Sequence, residues 1–369
     1  MKFVIDDKIP YINGVLEQYG EVLYIPGKDI APEHVNDADA LIVRTRTKVN
    51  ENLLKNSNIK FVATATIGFD HIDRDYLNER GIAWTSCPGC NSESVGQYMT
   101  SVLIELAEKY SLKLEGMTLG IVGCGNVGKK VLKKAEAFGM NVLVCDPPRA
   151  EAEGPEGFSN LETLVKESDF LTLHVPLFRE RALKTFHMAD QELFKKMKDT
   201  AFIINTCRGE VINNSDLETA LKSGEIKGAV IDVWENEPEI NLELLKLVDI
   251  ATSHIAGYSA DGKSNGTSMS IQAVSKHLGL EHSSWFPDNV PLPEKLIHSE
   301  KSGLEAVKEV VRKTYDIFTD DKPLRDEPSS FEFNRGNYQL RREFHNYDVD
   351  CDDTEAREIL ENLGFKISK

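Results

Sequence analysis

The stretch LGIVGCGNVGKKV, residues 119–131, decides how the chain folds. An apolar run ends in Gly123, Gly125 and Gly128, spaced G-x-G-x-x-G, and a run with helical periodicity follows. Downstream, VLVCD ends in Asp146. A strand, a glycine turn and a helix in this order are what a dinucleotide needs. Gly123 permits the tight turn, Gly125 lets backbone approach a pyrophosphate, and Gly128 lets helix and strand pack closely. Asn126 and Val127 open the helix, whose free amides face the phosphates. Asp146 can accept from an adenosine ribose and would repel a 2′-phosphate, so NAD is expected rather than NADP. Arg149 is the one nearby charge with the opposite preference.

Working outward, both flanks carry α/β patterns. Before the glycine turn, KFVID, ALIVRT, KFVATAT and IAWTSC read as strands between polar helical runs, which points to a largely parallel sheet. SESVGQYMTSVLIELAEKY follows, with Val95, Tyr98, Met99, Val102, Leu103, Leu106 and Ala107 at helical spacing, so a long amphipathic helix is expected. Ser92 or Ser94 is its expected N-cap. After the turn come FLTLHVP, AFIINTC, GAVIDV and DIATSH. SSWFPDNVPLPEK, residues 283–295, reads as a linker, and a third unit starts near residue 300.

Composition narrows the class. The 369 residues leave room for two or three domains. A formal charge of −17 argues against a nucleic-acid partner, and an acidic protein that takes an anionic substrate must concentrate its arginines locally. No apolar stretch is long enough to span a bilayer, and MKFVIDDKIP lacks the core of a signal peptide, so no membrane partner is expected. Six cysteines are too sparse for a disulfide scaffold, and a cytoplasmic location is expected. Cys87 and Cys90 form a CxxC. A redox role would need a helix start there and a zinc role a second ligand pair; no second pair exists, and no metal site is expected.

Three polar residues each follow a strand-like run: Arg208 after AFIINTC, Glu237 after GAVIDVWEN and His254 after DIATS. In an open α/β sheet, ligands bind outside the carboxyl ends of the strands, so the three can converge on one crevice. Their charges suit a 2-hydroxy acid. Arg208 can bind the carboxylate or polarise the C2 oxygen. His254 can take the hydroxyl proton as hydride leaves C2 for NAD. Glu237 can orient the imidazole and stabilise its cation. Asp232, ending VID, could face the nicotinamide.

These motifs resemble the D-isomer-specific 2-hydroxyacid dehydrogenases. GIVGCGNVGKKV, INTCRGEVIN, GAVIDVWENEPE and SHIAGYS are similar to that family's dinucleotide loop and its Arg, Glu and His motifs. The resemblance implies an α/β architecture, with a Rossmann-type NAD domain inserted in a flavodoxin-like substrate domain. The expected boundaries are 1–93 for the first part of the substrate domain, 94–255 for the NAD domain and 256–282 for the return. A small C-terminal α/β dimerisation domain would occupy 283–369. The same roles for Arg208, Glu237 and His254 are implied.

RKTYDIFTDDKPLRD, NYQLRREF and CDDTEAREILENLGFKI are similar to the dimerisation module of one branch, which oxidises a phosphorylated 2-hydroxy acid with NAD. The resemblance there implies substrate contacts from Thr45, Thr66 and Tyr258, with Asn91 near the carboxylate. It implies cofactor contacts from Asp146, Thr206, Cys207, Arg208, Asp232 and Gly257. Arg44 and Arg46 flank Thr45 at a strand end and supply local positive charge for a phosphate. On a continuing strand the two arginines would share a face.

A homodimer through the tail is expected. The run LEAVKEVVRKTYDIF places Leu304, Val307, Val311, Tyr315 and Phe318 on one helical stripe that must be buried, and a second copy could bury it. Arg341 or Arg342 is a candidate to join Arg44 or Arg46 around the phosphate. Two alternatives stay open. A D-3-phosphoglycerate dehydrogenase has similar motifs, though a regulatory domain often follows there and the tail here lacks a clear βαββαβ pattern. An NAD-sensing scaffold of the corepressor kind would have no need of Arg208, Glu237 and His254.

Overall fold

The computed structural model describes residues 1–180, 183–293 and 296–368. The chain forms two compact units, Met1–Asn91 with Ser259–Pro291, and Ser92–Tyr258 with Leu292–Lys369. The second unit is thus inserted into the first, and the tail clusters with the inserted NAD-type unit instead of standing apart.

In the first unit, β1 (Lys2–Asp6), β2 (Glu21–Ile25), β3 (Ala40–Val43), β4 (Phe61–Thr64) and β5 (Ala83–Thr85) form a parallel sheet. Their order, β2-β1-β3-β4-β5, is the flavodoxin-like one. The sequence reading missed β2, an edge strand in which only Ile25 is buried. The helix Ala260–Leu278 adds Ile271 and Val274 to the cluster of Phe3, Ile5, Ile42 and Ala63. The linker reading holds poorly for Trp285, which packs beside that cluster and whose carbonyl accepts from Gln272 Nε2 at 2.9 Å. Its last two residues, Glu294 and Lys295, lie outside the described residues.

In the second unit, β6 (Thr118–Val122), β7 (Asn141–Cys145), β8 (Phe170–Leu173), β9 (Phe202–Asn205), β10 (Gly228–Ile231) and β11 (Ile250–Ala251) are all parallel. Their order is β11-β10-β9-β8-β6-β7. β6 lies between β7 and β8, so the glycine turn that follows it sits where the strand order reverses. A full Rossmann sheet has one more strand outside β7. Among the described residues a single bond stands there, from the Ser159 N–H to the Val144 carbonyl at 2.7 Å.

The helix Ser92–Tyr110 begins at Ser92, so neither Ser92 nor Ser94 caps it. It is also not half-exposed. The expected apolar stripe is buried, and so are Ser94, Gln97, Ser101 and Glu105 on another face. The tail covers that face: Ser94 Oγ donates to Glu343, Gln97 Nε2 to the Arg342 carbonyl and Ser101 Oγ to the Tyr315 carbonyl. Arg312 donates to Glu105.

The tail builds a small parallel sheet from β12 (Leu296–Ser299), β13 (Asp348–Cys351) and β14 (Lys366–Ile367). Its first helix, Gly303–Thr314, is shorter than the expected run. Val307, Val311 and Tyr315 are buried in one cluster with Tyr98, Val102 and Leu106 of the same chain, while Leu304 and Phe318 stay exposed. The stripe therefore does not need a second copy to cover it. The reason is the polar face of Ser92–Tyr110, whose hydrogen-bonding groups draw the tail onto its own chain. Among the described residues no helix is long and apolar enough to cross a membrane.

Candidate active site

The glycine turn has the geometry its spacing implies. Gly123 has φ of 86°, and a Cβ there would lie 2.5 Å from the His174 carbonyl oxygen. A Cβ on Gly128 would lie 2.3 Å from the Gly123 carbonyl oxygen, so strand and helix can meet only at glycine. A Cβ on Gly125 would meet nothing within 4 Å. That open space lies at the N-terminus of the helix Asn126–Ala137, where Gly125 is the N-cap and Asn126 and Val127 form the first turn. These residues fit a dinucleotide pyrophosphate.

Asp146 closes the turn from β7. Its Oδ2 accepts from the Cys124 N–H at 2.8 Å and its Oδ1 from the Arg149 N–H at 3.2 Å. Each oxygen keeps acceptor capacity for a ribose. Arg149, the dissenting charge, is tied to the Cys124 carbonyl and to Glu153.

His174, just past β8, was missed in the sequence although it too ends an apolar run. Its ring contacts Thr172 Oγ1 at 3.0 Å and Thr206 Oγ1 at 3.5 Å. Burial pushes it down to about 3, so a neutral imidazole lies under the glycine turn. Cys207 N–H donates to Asn205 Oδ1, and Asn205 Nδ2 donates to the Arg208 carbonyl, which sets the backbone that carries Arg208. The Arg208 guanidinium is half-buried and donates to the Cys207 carbonyl at 2.7 Å.

Glu237 and His254 meet. Glu237 Oε2 lies 2.8 Å from His254 Nδ1, and Oε1 accepts from the Trp234 N–H at 2.9 Å. Burial would raise the Glu237 carboxyl, but the facing imidazole and the N–H bond hold it below the usual range. With Nδ1 spent on Glu237, Nε2 is the ring nitrogen left for a substrate hydroxyl. The His254 backbone has φ of 57°, a left-handed conformation that costs a non-glycine residue about 1–2 kcal/mol.

Asp232 holds that strained turn. Its backbone carbonyl accepts from the His254 N–H at 2.7 Å. Its carboxylate accepts from Thr252 Oγ1 at 2.6 Å, the Ile255 N–H at 2.7 Å and the Ala256 N–H at 3.1 Å. Burial raises its carboxyl and these bonds oppose the rise. Gly257 and Tyr258 continue the turn, and the Tyr258 ring meets Tyr338 edge-on at 5.8 Å.

In the first unit, β3 ends at Val43, so Arg44, Thr45 and Arg46 lie in a turn and strand alternation does not govern them. Arg44 Nε lies 3.4 Å from Oδ2 of the buried Asp6, and Thr45 and Arg46 are exposed. Asp6 ends β1, the strand where this sheet's order reverses, so the turn occupies a ligand-binding position for such a sheet. Thr66 Oγ1 contacts Thr64 Oγ1 at 2.8 Å and donates to the Gly68 carbonyl. Asn91 is the unit's last residue before the crossing. Cys87 and Cys90 are both buried and are not joined in a disulfide, and burial pushes the Cys87 thiol up to about 11.

Arg341 is bonded within its own unit. It is buried, and its donors go to Gln97, Tyr338, Ser94 and Ala256 of its own chain. Arg342 donates to Asn346 Oδ1 at 2.7 Å.

Residues 96–256 match the D-isomer specific 2-hydroxyacid dehydrogenase, NAD binding domain family, and residues 290–364 match a domain of unknown function (DUF3410). The D-lactate dehydrogenase of Aquifex aeolicus, solved with NAD and lactic acid, superposes with a TM-score of 0.64 at 27% identity. That match covers 76% of this chain and 96% of the other. It leaves the tail to be explained by closer relatives. The erythronate-4-phosphate dehydrogenase of Bacteroides fragilis is 49% identical over 93% of this chain and 97% of its own. That of Escherichia coli K12 is 44% identical over 99% and 98%. Tail included, this chain belongs to the erythronate-4-phosphate dehydrogenase family of D-isomer-specific 2-hydroxyacid dehydrogenases.

Proposed function

We propose that this chain oxidises 4-phospho-D-erythronate at C2 to (R)-3-hydroxy-2-oxo-4-phosphooxybutanoate with NAD, a step toward pyridoxal 5′-phosphate. The observation that carries the reading is the Glu237–His254 pair, set on the same sheet edge as a glycine turn shaped for a dinucleotide. Relatives 43–49% identical over nearly the whole chain carry the name of that activity.

Gly123, Gly125, Asn126, Val127 and Gly128 hold the cofactor's phosphates, and Asp146 its ribose. Thr206, Cys207, Arg208, Asp232 and Gly257 serve its other end. Bound NAD supplies the hydride acceptor. His254 takes the C2 hydroxyl proton on Nε2 as the C2–H bond breaks, and Glu237 balances the imidazolium that forms. Arg208 binds the substrate carboxylate with its fork of donors. Arg44 and Arg46 bind the phosphate, with Thr45, Thr66, Asn91 and Tyr258 as further substrate contacts.

Six cysteines with no disulfide among them suit a reducing cytoplasm. The enzyme works as a homodimer. Exposed aromatics on the tail, Phe318 and Phe333, support that reading.

The test is a panel of 4-phospho-D-erythronate, D-erythronate and D-3-phosphoglycerate with NAD, read by NADH absorbance. The expected result is a kcat/KM at least about 10-fold higher for the first, since one or two charge-assisted phosphate contacts are worth about 1.5–3 kcal/mol each. Equal turnover of D-erythronate, or preference for D-3-phosphoglycerate, overturns the assignment.

A further inference from the structure

We propose that Arg341, carried by the C-terminal tail, is a positioning residue that clamps the turn bearing His254. The inference rests on His254 being the base of the proposed reaction, and it gives the tail a part in catalysis besides association.

The turn at residues 254–256 is gripped from two sides. Asp232 takes its amides: the backbone carbonyl accepts from His254, and the carboxylate accepts from Ile255 and Ala256. Arg341 takes its carbonyl: a terminal guanidinium nitrogen donates to the Ala256 oxygen at 2.7 Å. A left-handed residue such as His254 persists only where its surroundings over-determine it. Asp232 and Arg341 together do so, one through hydrogen-bond acceptors and the other through donors.

The clamp is itself framed. Arg341 Nε donates to Gln97 Oε1 at 3.1 Å, and the other terminal nitrogen donates to the Tyr338 hydroxyl at 2.5 Å. The nitrogen that reaches Ala256 also donates to the Ser94 carbonyl at 3.3 Å. The guanidinium lies 4.0 Å from the centre of the Tyr315 ring. Tyr315 and Tyr338 both donate to Asp320, which supplies the compensating negative charge. Gln97 in turn donates to the Arg342 carbonyl, so the tail and the helix Ser92–Tyr110 fix the arginine's position. Only a planar fork serves these acceptors at once; an ammonium of the same charge reaches them one at a time.

The test compares the full-length wild type with R341A and R341K. Hydrogen exchange of the peptide spanning residues 252–258, read by mass spectrometry without substrate, should be at least about 10-fold faster in R341A. Exchange in β3 and β4 should stay as in the wild type. With NAD and 4-phospho-D-erythronate, kcat should fall about 10–100-fold, as expected when a base is misplaced by a fraction of an ångström to an ångström. NADH affinity should stay within twofold, and the isotope effect from deuterium at C2 should rise. R341K should stay closer to R341A than to the wild type. Unchanged exchange at 252–258 overturns the clamp. So does a lower kcat with an unchanged isotope effect and exchange raised throughout the second unit, which marks plain loss of folded protein. Exchange is read without turnover, so it decides the clamp even if the wild type leaves 4-phospho-D-erythronate unoxidised, a result that overturns the substrate reading alone.

Discussion

His254 adopts a left-handed backbone that is uncommon outside glycine, and its ring meets Glu237. The carboxylate is largely enclosed yet held below the usual range by that imidazole. A negative charge at 2.8 Å balances the imidazolium that forms as the hydroxyl proton is taken. In E237Q kcat for hydroxy-acid oxidation should fall at least about 10-fold, as the developing imidazolium loses its counter-charge. A kcat that stays at the wild-type value refutes the pairing. That Arg208, Glu237 and His254 stand past strand ends was legible because each follows an apolar run, where a parallel sheet puts its ligands. A further part played by Asp232 was not: besides the cofactor contact proposed above, its carboxylate binds amides 23 and 24 residues downstream, a closure that no local pattern encodes.

Among the elements, the helix Ser92–Tyr110 shows where periodicity stops informing. Its span matches the sequence reading, and its apolar positions are all in the core. An amphipathic helix ordinarily turns its polar face to water, and there the structure differs. Ser94, Gln97, Ser101 and Glu105 bond to partners more than 200 residues away, so their polarity reflects specific long-range contacts. Glu105 is the strongest of them: it is nearly buried and takes two bonds from Arg312, which is 36% exposed. E105A should therefore destabilise the protein by about 1–3 kcal/mol, less than a fully buried pair because the arginine keeps some water. E108A removes the more exposed partner of the same arginine and should cost no more than about 1 kcal/mol. Urea unfolding midpoints of the two variants measure the difference, and equal losses would show that the buried face is not specific. The flavodoxin-like sheet was legible except for β2, whose edge position leaves it without the apolar signature of its neighbours.

At the scale of the whole molecule, the tail was read as a surface waiting for a second copy. Most of that surface is already used: Val307, Val311 and Tyr315 are buried inside their own chain. Association then has to draw on what the fold leaves uncovered, and on the tail that is Leu292 and Leu296 at its start and, among the aromatics there, Phe333, 69% exposed, with Phe318 at 42%. Phe333 sits two residues from the buried Phe331 on the short helix Phe331–Gly336, about 200° round the helix axis, so it is an outward ring on an anchored base. In a two-fold dimer the same residue enters the interface twice. Burying one phenylalanine is worth about 1.5–3 kcal/mol, so the pair contributes about 3–6 kcal/mol, or roughly two to four orders of magnitude in the dimer dissociation constant. F333D places two like charges where two rings met. Sedimentation equilibrium should show the wild type at twice 41.3 kDa and F333D shifted toward the single-chain mass at micromolar concentration. The melting of the second unit's core should barely change, because Phe333 contributes little to it. A wild type that sediments as a monomer removes the dimer, and an F333D protein that stays dimeric moves the interface away from this helix.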